Sequence, residues 1–434
     1  MHKGKIGAGL STTPTSSGVV IVGGGFAGMT TAKSLINEGL PPSSITIVNA
    51  CAFVESNVFM GYFFSRPEQY EQLANTKKGA VHTLDHVSIP GVQYAVGEVT
   101  AFDDSRITFR DGGSLPFSVL IAAVGIEYPV LSPSFGDALD SRTAFLKEAA
   151  AKVSSAKALL IGGAGPVALE VAATFRKMNE NATITLVTSD LRVFPYWHNG
   201  AMRAIDAELR RLRIDVVPNE KMVNATPSLE SGRFRLSSGR EIEADVYLPF
   251  FGMARTSFIQ ACAPSAVESS RVKINDFGQS VVKPYLFAVG CANKYKVAIR
   301  PAMEVEAKVV AKNVMSFLGG AELAATLPEK PPGPPGVMWV HTGLGDHTIM
   351  NLEPAGAFPA MCGFCCGVGN PLCPCCVCCG VCCSHPAGSL LGKAMAAMLV
   401  GNPGKPHSHV AARPPHIVTP DSAAPVSPSM ARLE

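Results

Sequence analysis

Short apolar runs, each closed by glycine, set the pattern of this chain. Residues 18–22 (GVVIV) form a β-branched run, followed at once by a glycine-rich stretch at 23–28 (GGGFAG) and then by residues 29–38, closed by Gly39. A buried strand, a tight turn and a helix in that order open a βαβ unit. Residues 44–48 (SITIV) predict the paired strand. Residues 92–96, 98–102 and 106–110 predict a β-meander turning at Asp111, Gly112 and Gly113, and the apolar run 117–124 predicts an exit strand ending at Gly125.

The same grammar recurs about 140 residues later. Residues 158–161 predict a strand, 162–165 (GGAG) a glycine turn, 167–179 a helix and 183–187 the paired strand. Residues 236–240 resemble the earlier meander, and 244–250 form an apolar exit run before Gly252. A last strand at 285–289 ends at Gly290, and a helix follows over 301–318. The fold class is α/β, with two Rossmann-like dinucleotide-binding domains, the second interrupting the first. Residues 18–135 and 253–325 form the outer domain and 136–252 the inner one. Residues 1–17 are expected to be a flexible N-terminus, 326–401 a C-terminal region with a Cys-rich segment, and 402–434 a disordered tail rich in Pro, Ser and Ala.

Composition narrows the function classes. Apolar types make up 47% of the 434 residues and charged types 16%, enough to bury a large core. The near-balance of 37 basic and 34 acidic residues argues against a nucleic-acid partner, which needs a basic surplus to neutralise phosphates. Ten of the 13 cysteines lie between Cys362 and Cys383, leaving Cys51, Cys262 and Cys291 for the rest. A disulfide framework would be spread through the fold, so the expectation is a reducing, cytoplasmic compartment. The first 17 residues lack the apolar core of a signal peptide; a mitochondrial transit peptide is the lesser alternative.

The first glycine set is G-x-G-x-x-G, with Gly23 for the turn, Gly25 for backbone approach to a pyrophosphate and Gly28 for helix–strand packing. Gly24, Phe26 and Ala27 complete the cradle, and the helix N-terminus presents N–H groups to the phosphates. The ribose-binding acid expected about 20 residues on is replaced by Asn49, a neutral hydrogen-bonding partner. The second set, Gly163 and Gly165 with Ala168, is followed by Glu170, and further on by Thr188 and Arg192. With no carboxylate there to hold a 2′-hydroxyl, Arg192 could pair with a 2′-phosphate, so NADPH and NADH are both open. As an isolated residue Arg192 is equally an ordinary surface charge, and Glu170 a first-turn acid favoured by the helix dipole. No metal site is expected in the body. Two dinucleotides in one chain imply a tightly held flavin and an exchangeable nicotinamide, with hydride transfer between them.

The stretches 19–28, 114–125, 158–173, 245–252 and 285–290, in that order and spacing, make the chain resemble FAD- and NAD(P)H-dependent oxidoreductases of the pyridine nucleotide superfamily. Within it the chain is most similar to the branch of apoptosis-inducing-factor-like proteins, ferroptosis suppressor protein and type 2 NADH dehydrogenases. The resemblance implies FAD on the outer domain and NADPH or NADH on the inner one. It also implies that Val99 meets the adenine, that Ala123 and Gly125 lie against the flavin crossover, and that Glu170 stands near the nicotinamide and flavin rings. Relatives follow the last strand with Gly-Asp, whose carboxylate binds the ribityl chain; here Gly290 is followed by Cys291. The usual Ala-Thr-Gly is Ala123, Val124 and Gly125. Cys51 stands alone where disulfide reductases carry a close pair, so the resemblance implies a quinone or similar small acceptor. The alternative is a degenerate, non-catalytic relative that senses a nucleotide or serves as an interaction protein. The uncharged Cys-rich segment has three open readings: a zinc site, S-acylation that tethers the protein peripherally to a membrane, or an inert insertion.

Overall fold

The computed structural model describes residues 18–328, apart from 57–59, 77–80, 129–130, 196–198, 224–228, 252 and 294–299, together with 338–342, 347–351 and 384–385. The Cys-rich segment and both terminal stretches lie outside the described residues.

The run Gly18–Val22 (β1) is a strand buried from Val19 onward, as its continuous β-branched sequence demands, and the glycine turn delivers the chain into helix Phe26–Asn37 (α1). Ile45–Asn49 (β2) pairs parallel with β1, Val19 opposite Ile45. An excursion follows: Phe53–Glu55 (β3), Met60–Ser65 (α2), Tyr70–Leu73 (α3), Val81–Thr83 (β4) antiparallel to β3, and Leu84–Val87 (α4). The chain re-enters the sheet at Gln93–Val96 (β5), parallel to β2. The meander expected from residue 92 therefore starts one strand later, with Val99–Phe102 (β6), Arg106–Phe109 (β7) and Ser114–Ala122 (β8). The excursion is long enough for a parallel crossover, which strand periodicity by itself does not reveal. The first part of β8 pairs with β7, and the strand then runs parallel beside β1.

Ile126–Glu127 (β9) leads away to Leu139–Ser155 (α5), Ala158–Gly162 (β10), Pro166–Met178 (α6), Thr183–Val187 (β11), Asn199–Arg211 (α7) and Ile214–Val217 (β12). A hairpin, Gly232–Arg235 (β13) with Glu241–Ala244 (β14), precedes Val246–Pro249 (β15). The second sheet is parallel, in the order β12-β11-β10-β15. Residues 236–240, which resemble the earlier meander, are the hairpin turn: Gly239 has φ +88° and the Leu236 N–H donates to the Arg240 carbonyl. Met253–Ala254 (β16) returns antiparallel to β9. Ser257–Cys262 (α8), Val267–Glu268 (β17) and Arg271–Val272 (β18) precede Leu286–Ala288 (β19), which rejoins the first sheet parallel to β8. Arg300–Leu318 (α9) then packs on α1.

Separate apolar clusters cover the two faces of the first sheet, and another surrounds α6 and the second sheet. The halves are joined by apolar packing, with Phe64 of α2 edge-on to Phe175 of α6 at 5.4 Å between ring centroids, and by a buried ion pair. Arg142 in the first turn of α5 is 1% exposed and donates from Nε and Nη2 to the two Glu55 oxygens at the end of β3, both at 2.9 Å. It also donates to the Leu131 carbonyl, and the Tyr70 hydroxyl donates to Glu55 at 2.6 Å. Burial and the adjacent Glu55 carboxylate push the Tyr70 phenol up, so it stays a donor. Among the described residues no helix is long and apolar enough to cross a membrane.

Removing one member of this pair leaves a buried charge without its partner. Arg142→Met is expected to cost about 3–5 kcal/mol, and Glu55→Leu combined with Arg142→Met less than either single change. Thermal unfolding of the three variants measures this; a double variant as unstable as the sum of the singles would contradict it.

Candidate functional site

Two glycine cradles stand at the C-terminal ends of β1 and β10 and have the same local geometry. Gly23 and Gly163 take φ +115° and +99°, and each donates its N–H at 2.7 Å to a carbonyl near the end of the neighbouring strand, that of Val48 and Val187 respectively. A Cβ at Gly23 would lie 2.2 Å from the Ala123 carbonyl oxygen, and one at Gly163 would lie 3.2 Å from the Phe250 carbonyl carbon. A Cβ at Gly28 would lie 1.9 Å from the Gly23 carbonyl oxygen, so α1 can approach its strand only through glycine. Gly25 and Gly165 behave oppositely. Each is the N-cap of its helix, no side chain caps either helix, and an added Cβ at either would meet nothing within 4 Å. Space therefore opens where the helix N-termini present their N–H groups, which fits a pyrophosphate. By this test both cradles fit a dinucleotide.

Asn49 sits at the end of β2, directly against the first cradle. Its Oδ1 accepts the Gly24 N–H at 2.9 Å, and its Nδ2 donates to the Cys51 and Phe53 carbonyls, each at 2.9 Å. Both amide protons are thereby engaged, so Asn49 fixes the turn and can offer a ribose hydroxyl only the remaining Oδ1 lone pair. Val99 opens β6 and is 9% exposed. In the second half, Thr188 is buried and its hydroxyl accepts the Asp190 N–H at 3.2 Å. Arg192 is not an unengaged surface charge: Nη2 pairs with Asp206 on α7, while Nε is buried without a hydrogen-bond partner. Any 2′-phosphate there competes with Asp206.

The two halves meet at the crossover strands. β9 and β16 pair Glu127 with Met253, and Arg255 donates to Glu127 at 2.6 Å and to the Pro133 carbonyl at 2.8 Å. Gly125, just before β9, has φ +68° and open space at its Cβ position. Tyr128 follows β9, is 8% exposed and lies 5.5 Å from the Phe250 ring. Burial pushes its phenol up to about 12, with Cys291 and Glu170 adding to the shift. At this crossover, the Tyr128–Phe250 contact is where the structure brings together side chains of the two halves. Tyr128 carries no motif; its position between Gly125 and the crossover was the one signal available.

Burial raises the thiols of Cys51 and Cys291 above their ordinary value, which disfavours the reactive thiolate. Cys51 donates to the Ser134 carbonyl, and Cys51, Cys262 and Cys291 are all free thiols. Among the described residues no cluster of His, Cys, Asp and Glu could hold a metal ion.

Glu306 on α9 was also missed. It is 1% exposed, and its Oε2 accepts the Gly290 N–H at 2.7 Å and the Asn293 amide at 3.3 Å. Oε1 is buried without a hydrogen-bond partner. Burial outweighs those two hydrogen bonds and pushes the carboxyl up to about 7.

The family model described as pyridine nucleotide-disulphide oxidoreductase matches residues 17–305. Oxidoreductase phnG of Penicillium herquei is 26% identical over 299 residues, covering 58% of this chain and 68% of that protein. Ferroptosis suppressor protein 1 of Xenopus laevis is 24% identical over 334 residues, covering 71% and 83%. Among solved structures, the NAD-dependent persulfide reductase from A. fulgidus superposes with a TM-score of 0.56 at 16% identity, covering 77% of this chain and 63% of that one. The putidaredoxin reductase–putidaredoxin complex gives 0.53 at 19% identity, covering 77% and 81%. These two likenesses establish the fold.

Two outcomes follow from this geometry. Gly25→Leu should leave the thermal midpoint within about 2 °C while abolishing retention of a dinucleotide, whereas Gly28→Ala should destabilise the chain itself. Absorbance of the purified variants and their melting curves separate the two effects. Glu306 binds a proton in the folded state that the unfolded chain has already released between its ordinary value of 4.5 and about 7. Stability therefore falls as pH rises through that window and levels off above it. Glu306→Gln should lose this slope, gaining thermal midpoint relative to the wild-type chain between about pH 5 and about pH 8; parallel pH profiles would contradict it.

Proposed function

The chain belongs to the pyridine nucleotide-disulphide oxidoreductase family, and from that premise we propose that it oxidises NADPH or NADH through FAD and reduces a quinone or similar small acceptor. One observation carries this reading: two open glycine cradles of matching geometry, one per parallel sheet, with Tyr128 of the outer half against Phe250 of the inner half at the seam. Bound FAD supplies the two-electron centre that takes a hydride from the reduced nicotinamide.

The chain's own residues bind and orient. Gly23 to Gly28 and the first turn of α1 would hold the FAD pyrophosphate, with Asn49 keeping the turn preorganised. Gly163, Gly165 and the first turn of α6 would hold the nicotinamide dinucleotide. Ala123, Gly125 and the Gly290–Cys291 turn would form the crossover side of the flavin pocket. The Glu127–Arg255 pair fixes the two crossover strands, and so sets how the two cradles are aligned. Tyr128 and Phe250 wall the seam with apolar surface that keeps water out.

The absence of a cysteine partner for Cys51 among the described residues, and the raised thiols of Cys51 and Cys291, support an acceptor reduced without a dithiol relay. The free thiols also support a reducing, cytoplasmic location. Peripheral attachment through the Cys-rich segment would bring the enzyme to a membrane-dissolved quinone.

Anaerobic titration tests the whole reading. The purified chain should show a two-banded flavin spectrum, bleached by NADPH or NADH and restored by a soluble quinone. Colourless protein that takes up no added FAD would instead identify a non-catalytic relative, and bleaching that only a ferredoxin reverses would replace the quinone. Coenzyme choice is read separately. Asp206→Asn frees Arg192 and should lower the KM for NADPH several-fold with little change for NADH; Arg192→Ala should do the reverse. Equal effects on both coenzymes would remove Arg192 from the phosphate site.

A further inference from the structure

Glu306 has features that its role as a helix residue does not explain. Its carboxyl grips the turn after β19 through the Gly290 N–H and the Asn293 amide, and that amide also donates to the Ala288 carbonyl at 3.2 Å. The turn in turn abuts the first cradle: a Cβ at Gly290, which has φ +65°, would lie 2.9 Å from the Ala27 Cβ in the first turn of α1. One hydrogen bond therefore separates Glu306 from the backbone that faces the pyrophosphate site. The remaining oxygen, Oε1, is buried with no partner.

An ionised carboxylate in this position would be costly twice over. Its Oε1 would be a desolvated anionic oxygen with nothing to satisfy it, and its charge would oppose the two negative charges of a pyrophosphate nearby. A neutral carboxyl escapes the repulsion and still accepts through Oε2. Among the described residues no cation acts on this carboxyl. The Gly290 turn contributes the Cys291 thiol, which Glu306 itself helps to hold protonated and whose own facing cation is Arg271 of β18. β8 contributes no ionisable residue, and the Lys33 of α1 is exposed. On α9 itself, Lys308 is exposed and Glu304 adds a further acid on the same helix.

We propose that Glu306 is the proton-linked positioning residue of the first cradle: FAD binding takes up one proton onto Glu306, whose carboxyl must be neutral for the Gly290–Asn293 turn to close on an anionic dinucleotide. This rests on the flavin reading above. In the step, a buffer acid gives its proton to Oε1; one O–H bond forms and no electrons move. It makes Glu306 the acid at this turn in a chain whose Gly290 is followed by cysteine. By linkage, FAD affinity is highest at low pH and falls as pH rises through neutrality.

The test uses the full chain, freed of flavin and titrated with FAD from about pH 6 to about pH 8.5 by flavin fluorescence, and by calorimetry in two buffers of different ionisation enthalpy. The Kd should weaken about thirtyfold across the range, as expected for a carboxyl that ionises at about 7 in the free chain and stays neutral in the complex, with net proton uptake approaching one near the upper end. Glu306→Gln should bind FAD with a nearly constant Kd and no proton uptake, while Cys291→Ser should keep the wild-type slope. Proton uptake by the wild-type chain decides the matter even should the Gln variant fail to fold. FAD binding without uptake, or a slope retained in Glu306→Gln or lost in Cys291→Ser, would overturn the proposal and leave the flavin reading standing. No FAD binding at any pH would overturn both.

Discussion

The arrangement depends on a charge that cannot reach water. Arg142, at the start of the helix that leads into the second sheet, is buried against Glu55, at the end of a strand that leaves the first cradle. Neither charge is tolerable there without the other, so β3, α3, the Leu131 segment and α5 must assemble together. The pair thus ties the loop that follows Asn49 to the first helix of the inserted half. The exposed counterpart, Glu127 with Arg255, joins the two crossover strands but is about a third exposed on each side and contributes less. These polar contacts act together with the buried Phe64–Phe175 contact to fix how the halves face each other.

Much of this was legible because glycine is so restrictive. Where a strand, a turn and a helix must pass within contact of one another, only Gly23, Gly28 and Gly163 fit, and the spacing of those residues exposes the duplication. The elements misread were those whose identity depends on partners far away in sequence. The segment at 93–96 has a strand's pattern, but its parallel pairing with β2 depends on the excursion through α2 to α4. Residues 236–240 resemble the earlier meander, and Gly239 turns them back so that the flanking segments pair. Tyr128 and Glu306 were invisible for the same reason: each gains its chemistry from residues more than ten positions away, and neither sits in a motif.

The polar chemistry around the first cradle is distributed unusually. Asn49 is neutral, and the position after Gly290 is a thiol held protonated by burial. The acid nearest that turn, Glu306, reaches it from behind, through the backbone. A cradle with few fixed negative charges suits a dianionic pyrophosphate, because the helix N-terminus then acts without competition from a carboxylate. The cost is lost hydrogen bonding to the sugar, which must be made up by backbone contacts and packing.

The two cradles share a backbone but differ in how firmly they are held, and that difference matches two unlike tasks. In the first, the Asn49 side chain ties Gly24 to the Cys51 and Phe53 carbonyls, so the turn is fixed by three side-chain hydrogen bonds. In the second, the hydroxyl of the corresponding Thr188 accepts the Asp190 N–H, and Arg192 is held by Asp206. A preorganised cradle binds with less ordering to oppose it and releases slowly, whereas one whose charged group must first leave a partner exchanges readily. On the proposed reading, the side chains at the ends of β2 and β11, more than the glycines they flank, would distinguish a resident dinucleotide from one that departs after every turnover.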